Sequence, residues 1–366
     1  MPSSSSNLPA SGSSTRRGGA ARAAFTLAVA ALAVWFLWKV LGDAGIRTVG
    51  DRLLKADLSL AALAAALTIT RYLLLALRWE ILARQEAPVG LSQIAPVLMA
   101  GNFLSLVTPA VRIAGPILRA YYLSKETGRA RTRFYGTIVA DQVSNFAVYA
   151  AVLPAAGLMV STSGGSPFSV AGAAALLALL GGGLYAGWRM LVEIERGRPS
   201  IATRLLRAVL GAGPPGGWRG RLIAWWEDLL HSLCGAATSP GRWWPAMAVS
   251  IISYAVTVAI QMLCFQAVGA RASVAEVCFA VSGAGFAQIL LAAPGGAGVT
   301  EASLVAVFLA LGKDGASAAA AVFLARLINY SIVAPWGGIS FFILQRRYGR
   351  PARIDESSSN STVMSG

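Results

Sequence analysis

An all-α polytopic membrane protein, with about six full spans and two re-entrant helical hairpins in an inverted repeat, is what the sequence predicts. Three observations carry that expectation. Hydrophobic residues fill 56% of the 366 positions and charged residues 13%, with a mean hydropathy of +0.62, too apolar for a water-soluble domain of this length. The net charge of +15 gathers in segments that flank apolar runs, the pattern of cytoplasmic loops facing an anionic leaflet. Two of the apolar runs are interrupted by Pro and Gly, which leaves limbs short of the ~20 residues a helix needs to cross a bilayer.

Residues 1–21 read as a disordered tail, Ser- and Pro-rich and then basic at Arg16 and Arg17, without hydrophobic periodicity. A charge-free run from Ala23 to Trp38 follows as an uncleaved first span, since no small-residue cleavage site succeeds it. The second span, Leu58 to about Leu82, contains Arg71, with Arg78 and Glu80 near its end. Ile94–Val107 is apolar, Thr108 and Pro109 interrupt it, and a second limb, Ile113–Leu123, carries Arg119. Phe134–Leu158 is long enough to span and holds a polar row, Asp141, Gln142, Ser144 and Asn145. Phe168–Trp188 makes another span.

From Arg189 to Arg242 the chain is polar, with Trp218, Leu222, Trp225, Trp226 and Leu229 at helical spacing opposite Arg219, Arg221, Glu227 and Asp228. That is an amphipathic helix lying in the interface, or packed on the protein's own cytoplasmic face. Trp244–Val268 spans again. A last span, about Ala316 to Leu344, holds Arg326 and Asn329, and residues 346–366 are a basic and then Ser-rich tail.

The most informative stretch is Gly283–Leu311. Its apolar run meets Pro294, Gly295, Gly296 and Gly298, and a second run starts with Thr300 and Glu301 in its first turn. Broken backbone in lipid is tolerated only where protein or a water-filled cavity satisfies its amide and carbonyl groups. The break therefore points to a site. The alternative is a tight loop between two ordinary spans, because Pro and Gly also serve as punctuation.

With six full spans and two hairpins that return to their starting side, both termini and every strongly basic loop fall in the cytoplasm of a cell (inner) membrane protein. Repeat 1 (about 58–158) and repeat 2 (about 244–344) then run in opposite senses, each with a broken helix in the corresponding position, as in transporters with a midplane site.

These residues resemble the flippase-like transmembrane region of lysylphosphatidylglycerol synthase and its stand-alone relatives. The resemblance rests on Gly101-Asn102 through Pro109 to Leu118-Arg119-Ala120, on Pro294 through Glu301, and on Arg326 to Asn329 followed by Gly337-Gly338. It covers about residues 20–345 and makes 22–345 one transmembrane domain. Two departures stand out. Pro116 follows Gly115 where the family usually has Glu, and Asp141, Gln142 and Asn145 stand where it often has Glu-Arg and then Asp. No soluble aminoacyltransferase domain is expected after Leu344, so aminoacylation of lipid is not expected. The resemblance implies translocation of a lipid or glycolipid, or an accessory role in envelope lipid synthesis, hopanoid lipids included.

Charged groups within spans cost ~2.5–3.5 kcal/mol each on insertion scales and should face partners or a cavity. The deep candidates are Arg71, Arg112, Arg119, Asp141, Glu301 and Arg326. The surplus of guanidinium groups suits an anionic headgroup. The candidate substrate-binding set is Asn102, Pro109, Arg112, Arg119, Asp141, Asn145, Pro294, Gly295, Gly296, Gly298, Glu301, Arg326 and Asn329. Against it stand structural pairing of Glu301 and Asp141 with Arg326 or Arg71, and snorkelling of Arg119 to the cytoplasmic surface. Membrane lipids are the expected partners and nucleic acid is not, since no soluble basic domain carries the charge. Cys234, Cys264, Cys278 and the one histidine, His231, show no metal-ligand spacing, so neither metal nor cofactor is expected. With no nucleophile–base pair in view, transport is favoured over a membrane-embedded enzyme of lipid headgroups.

Overall fold

The computed structural model describes residues 45–107, 114–162, 240–290 and 299–349, with isolated positions elsewhere. Every element in those stretches is helical: α1 (Ile46–Leu54), α2 (Leu58–Ala83), α3 (Leu91–Val107), α4 (Ala114–Thr127), α5 (Arg131–Thr162), α6 (Pro240–Ala267), α7 (Val274–Leu290), α8 (Val299–Ala310) and α9 (Gly315–Tyr348). No element is predicted from the sequence where α1 lies. The expected first span, nearly all of the span 168–188, most of the amphipathic segment, the N-terminal tail and residues 350–366 fall outside the described residues, while Arg346, Arg347 and Tyr348, expected in the tail, continue α9.

Four helices, α2, α5, α6 and α9, are long and apolar enough to cross a membrane. α3, α4, α7 and α8 have 17, 14, 17 and 12 residues, or roughly 18–26 Å at 1.5 Å per residue, below the ~30 Å of a bilayer core. The starts are set by local chemistry. Asp57 caps α2 by accepting from the amides of Ser59 at 2.8 Å and Leu60 at 3.3 Å. Asp314 caps α9 by accepting from the Ser317 amide at 3.0 Å. The turn before that cap is made by Gly312, at φ 75°, a left-handed conformation that other residues adopt at a cost.

Polar ties assign the helix ends. At the end where α2 begins, the Asp57 amide donates to the Ala267 carbonyl at 2.9 Å, Arg52 meets Asp314 at 3.3 Å and Lys313 meets Glu276 at 2.9 Å. At the opposite end Arg133 meets Glu86 at 3.6 Å, Gln93 donates to Glu126 at 3.5 Å, and Tyr348 and Arg347 also reach Glu126. α3 therefore starts where α4 finishes, and α7 starts where α8 finishes, at the other end of the bundle.

Packing crosses the chain. α2 lies along α6, α3 lies along α9, and α7 lies along α5. The approach of α9 to α3 is close enough that a Cβ on Gly337 would stand 2.6 Å from the Met99 carbonyl oxygen. Among the described residues the apolar core has two large clusters, beside a small one of Leu82, Ala140 and Ala246. One cluster joins α6, α7, α8 and the first part of α9 with Ala64 and Val148. The other joins α3 and α4 to Tyr72–Ala83, to Phe134 and Ile138, and to Val333 and Leu344. Along α2, α5 and α9 the polar residues Arg71, Asp141, Asn145, Arg326 and Asn329 fall between these clusters, at the seam.

Candidate functional site

At that seam lies a cavity of about 150 Å³ bounded by α2, α6, α8 and α9. A cavity of that size holds a benzene-sized group. Thr68 and Arg71 face it from α2, Thr257 and Gln261 from α6, Thr300 and Glu301 from α8, and Arg326 and Asn329 from α9.

Glu301 enters because α8 begins at Val299 and puts Glu301 in its first turn, where the helix dipole favours a carboxylate. It pairs with Arg326 Nε, and the Arg326 guanidinium also lies 5.1 Å above the Tyr330 ring. Arg71 differs. Among the described residues it has no ion-pair or hydrogen-bond partner and its buried Nε meets no acceptor, while its guanidinium carbon sits 5.0 Å from the centre of the Tyr72 ring. The Tyr72 hydroxyl donates to Asn329 Oδ1 at 2.7 Å. Gln261 is 5% exposed and its Nε2 is buried without an acceptor. Thr68 and Thr257 each donate to a carbonyl of their own helix. The cavity is thus lined by unspent N–H groups, and its carboxylate is committed to Arg326. Such a lining suits an oxyanion.

A second polar group lies further along α2. Arg78 Nε donates to Asp141 at 2.6 Å, and its Nη1 donates to Asn145 Oδ1 at 3.1 Å and to Ser250 at 3.3 Å. Asp141 is therefore held by Arg78 and not by Arg71, because α2 and α5 approach each other two turns beyond Arg71. A third group joins the short helices. Arg119 Nη2 donates to Asn102 Oδ1, and its guanidinium carbon lies 5.9 Å from the Trp79 ring centre. Arg119 is 9% exposed, which overturns the expectation that it snorkels to the surface: its stem crosses Gly101, where a Cβ would stand 2.7 Å from Arg119 Cγ.

Of the sequence-predicted site residues, the structure gathers Glu301, Arg326 and Asn329 around the cavity. Asp141 with Asn145, and Asn102 with Arg119, form the two neighbouring groups. Pro109, Arg112, Pro294, Gly295, Gly296 and Gly298 lie outside the described residues. Tyr72 and Gln261 are cavity neighbours that the sequence does not single out. A signal for Tyr72 exists in the spacing Thr68, Arg71, Tyr72, a polar i, i+3, i+4 stripe inside an apolar helix. Among the described residues no group of three or more His, Cys, Asp or Glu side chains could hold a metal ion.

Comparison with known proteins agrees with this architecture. A UPF0104 membrane protein of Pyrococcus horikoshii is 22% identical over 319 residues, 81% of this chain and 90% of that protein. A UPF0104 membrane protein of Methanothermobacter thermautotrophicus is 31% identical over 137 residues, 37% of this chain and 39% of that protein's length. The family described as the lysylphosphatidylglycerol synthase TM region matches residues 24–337. With four membrane-length helices and a match over most of its length, the chain is an integral multi-pass membrane protein that belongs to the lysylphosphatidylglycerol synthase transmembrane-region family.

Proposed function

We propose that the protein moves a lipid or glycolipid with an anionic headgroup from one leaflet to the other, through the cavity at the seam. The observation that carries this reading is Arg71: a guanidinium inside a membrane-length helix, facing a headgroup-sized cavity, with no carboxylate partner among the described residues. An unpaired cation at membrane depth is costly unless it has a ligand or water to face.

The helix pairs support the same reading. α3–α4 and α7–α8 are re-entrant hairpins entering from opposite faces, and the α2–α5 and α6–α9 units form an inverted repeat around the cavity. The polar ties at opposite ends of the bundle and the exchanged packing of α3 on α9 and α7 on α5 favour this. The protein acts in the cell membrane, with both termini in the cytoplasm, where its basic segments meet the anionic leaflet.

The test is transport in liposomes. Vesicles of phosphatidylcholine containing the protein should move a fluorescent phosphatidylglycerol between leaflets faster than a fluorescent phosphatidylcholine, and faster than protein-free vesicles do. Equal rates with and without protein count against transport. Chemical conversion of the labelled lipid would favour a membrane-embedded enzyme instead.

A further inference from the structure

We infer that Tyr72 is a positioning residue that sets the headgroup preference of the cavity, an inference that rests on the transport reading above. Tyr72 is 6% exposed and bonds or stacks with two groups that line the cavity. Its ring lies under the Arg71 guanidinium, 5.0 Å from ring centre to Cζ, and its hydroxyl donates to Asn329 Oδ1 at 2.7 Å. A primary amide carries an acceptor on one side and two donors on the other. With Oδ1 occupied by the tyrosine, Asn329 offers Nδ2 as its unspent group.

The consequence is a matter of sign. Arg71, Gln261 Nε2 and Asn329 Nδ2 all carry N–H, and the one carboxylate among the described lining residues, Glu301, is held by Arg326. Besides the held Glu301, an ammonium group meets only neutral acceptors among the described lining residues, Gln261 Oε1 and the threonine hydroxyls, whereas a phosphate without a cationic substituent finds the Arg71 guanidinium. Without the tyrosine hydroxyl, the Asn329 amide can rotate and turn its carbonyl to the cavity, adding an acceptor that a zwitterionic headgroup can use. Tyr72 therefore acts through Asn329 on the choice of headgroup.

The hydroxyl and the ring separate experimentally. Tyr72→Phe retains the stack under Arg71 and removes only the hydrogen bond. In phosphatidylcholine vesicles, with thermal unfolding checking that each variant is folded, the ratio of labelled phosphatidylglycerol to labelled phosphatidylethanolamine movement, the latter carrying an ammonium with N–H to donate, should fall about fivefold in Tyr72→Phe, the worth of one ordinary hydrogen bond. Asn329→Ala should lower the ratio too, and the double variant Tyr72→Phe/Asn329→Ala should match Asn329→Ala alone, because the two changes remove one device. A wild-type ratio in Tyr72→Phe, or additive losses in the double variant, would overturn the inference while leaving transport intact. Wild-type protein that moves neither lipid faster than empty vesicles would overturn the transport reading and this inference with it.

Discussion

Arg78 and Asp141 form an ion pair at 2.6 Å, with side chains only 3% and 4% exposed, deep between α2 and α5. Breaking such a pair from one side strands a charge, which costs about 3–5 kcal/mol, whereas replacing both partners by apolar groups is often close to neutral. Asp141→Leu alone should therefore lower thermal stability in detergent much more than Arg78→Leu/Asp141→Leu does. A loss in the double variant equal to the sum of the losses in Arg78→Leu and Asp141→Leu would show that the pair is not coupled.

In the cavity, Arg71→Gln should slow movement of the anionic lipid about tenfold or more, since a charge-assisted contact is worth about 1.5–3 kcal/mol when it is made only during passage. Thermal stability should change little, because Arg71 has no ion-pair partner among the described residues to strand. Unaltered transport in this variant would remove Arg71 from the site.

Glu301 and Arg326 have a different signature. If the pair only holds α8 against α9, Glu301→Gln/Arg326→Gln should recover folding and part of the transport that Glu301→Gln alone loses. An inactive but well-folded double variant would assign Glu301 a direct part in passage.

Acid should act on the cap of α9. Asp314 is held below the usual carboxylate range, first by the hydrogen bond from the Ser317 side chain and then by the Ser317 amide, with the Arg52 charge adding to this. A carboxyl whose folded pKa is depressed contributes stability that is present above its unfolded value, near 4, and lost as pH falls through the lower folded value. The stability advantage of wild type over Asp314→Asn should thus be flat from pH 7 to 5 and shrink below pH 4. An advantage that persists unchanged at pH 3 would rule out the carboxylate as its source.

Topology can be read by labelling. On a background lacking Cys234, Cys264 and Cys278, a cysteine at Ala272, in the turn between α6 and α7, should react with an impermeant reagent from outside, and one at Ser357 should not. Outside labelling at Ser357 would contradict cytoplasmic termini.

The helices were legible in the sequence because their signals are local. Leu58–Leu82 and α2 differ by one residue at the end, and Ile113–Leu123 grew to Ala114–Thr127 where the amphipathic end of α4 leaves the apolar run. Glu301 and Arg326 stood out for the same reason, since a charge in an apolar helix needs a partner. What stayed hidden depends on which helices meet. Arg78 stands near the end of its apolar run and is not among the deep candidates, yet α5 and α6 close over it with Asp141, Asn145 and Ser250. The polar stripe of Thr68, Arg71 and Tyr72 marks a face of α2, but the partners of Tyr72 and the place of Gln261 at the cavity depend on how α8 and α9 approach, which is tertiary packing.

The seating of α3 against α9 has a consequence for biosynthesis. α3 ends at Val107 and α9 begins at Gly315, so synthesis of the helix whose Gly337 receives Met99 and Phe103 starts only some 208 residues later. At about 5–20 residues per second that is a wait of roughly 10–40 s. Through that interval α3 and α4 stand in the nascent chain without their neighbour, and the early half must be sheltered by lipid or by the insertion machinery until the last helix arrives. Order of synthesis and order of contact are decoupled here, so a chain stopped before α9 loses that helix and also orphans the α3–α4 pair.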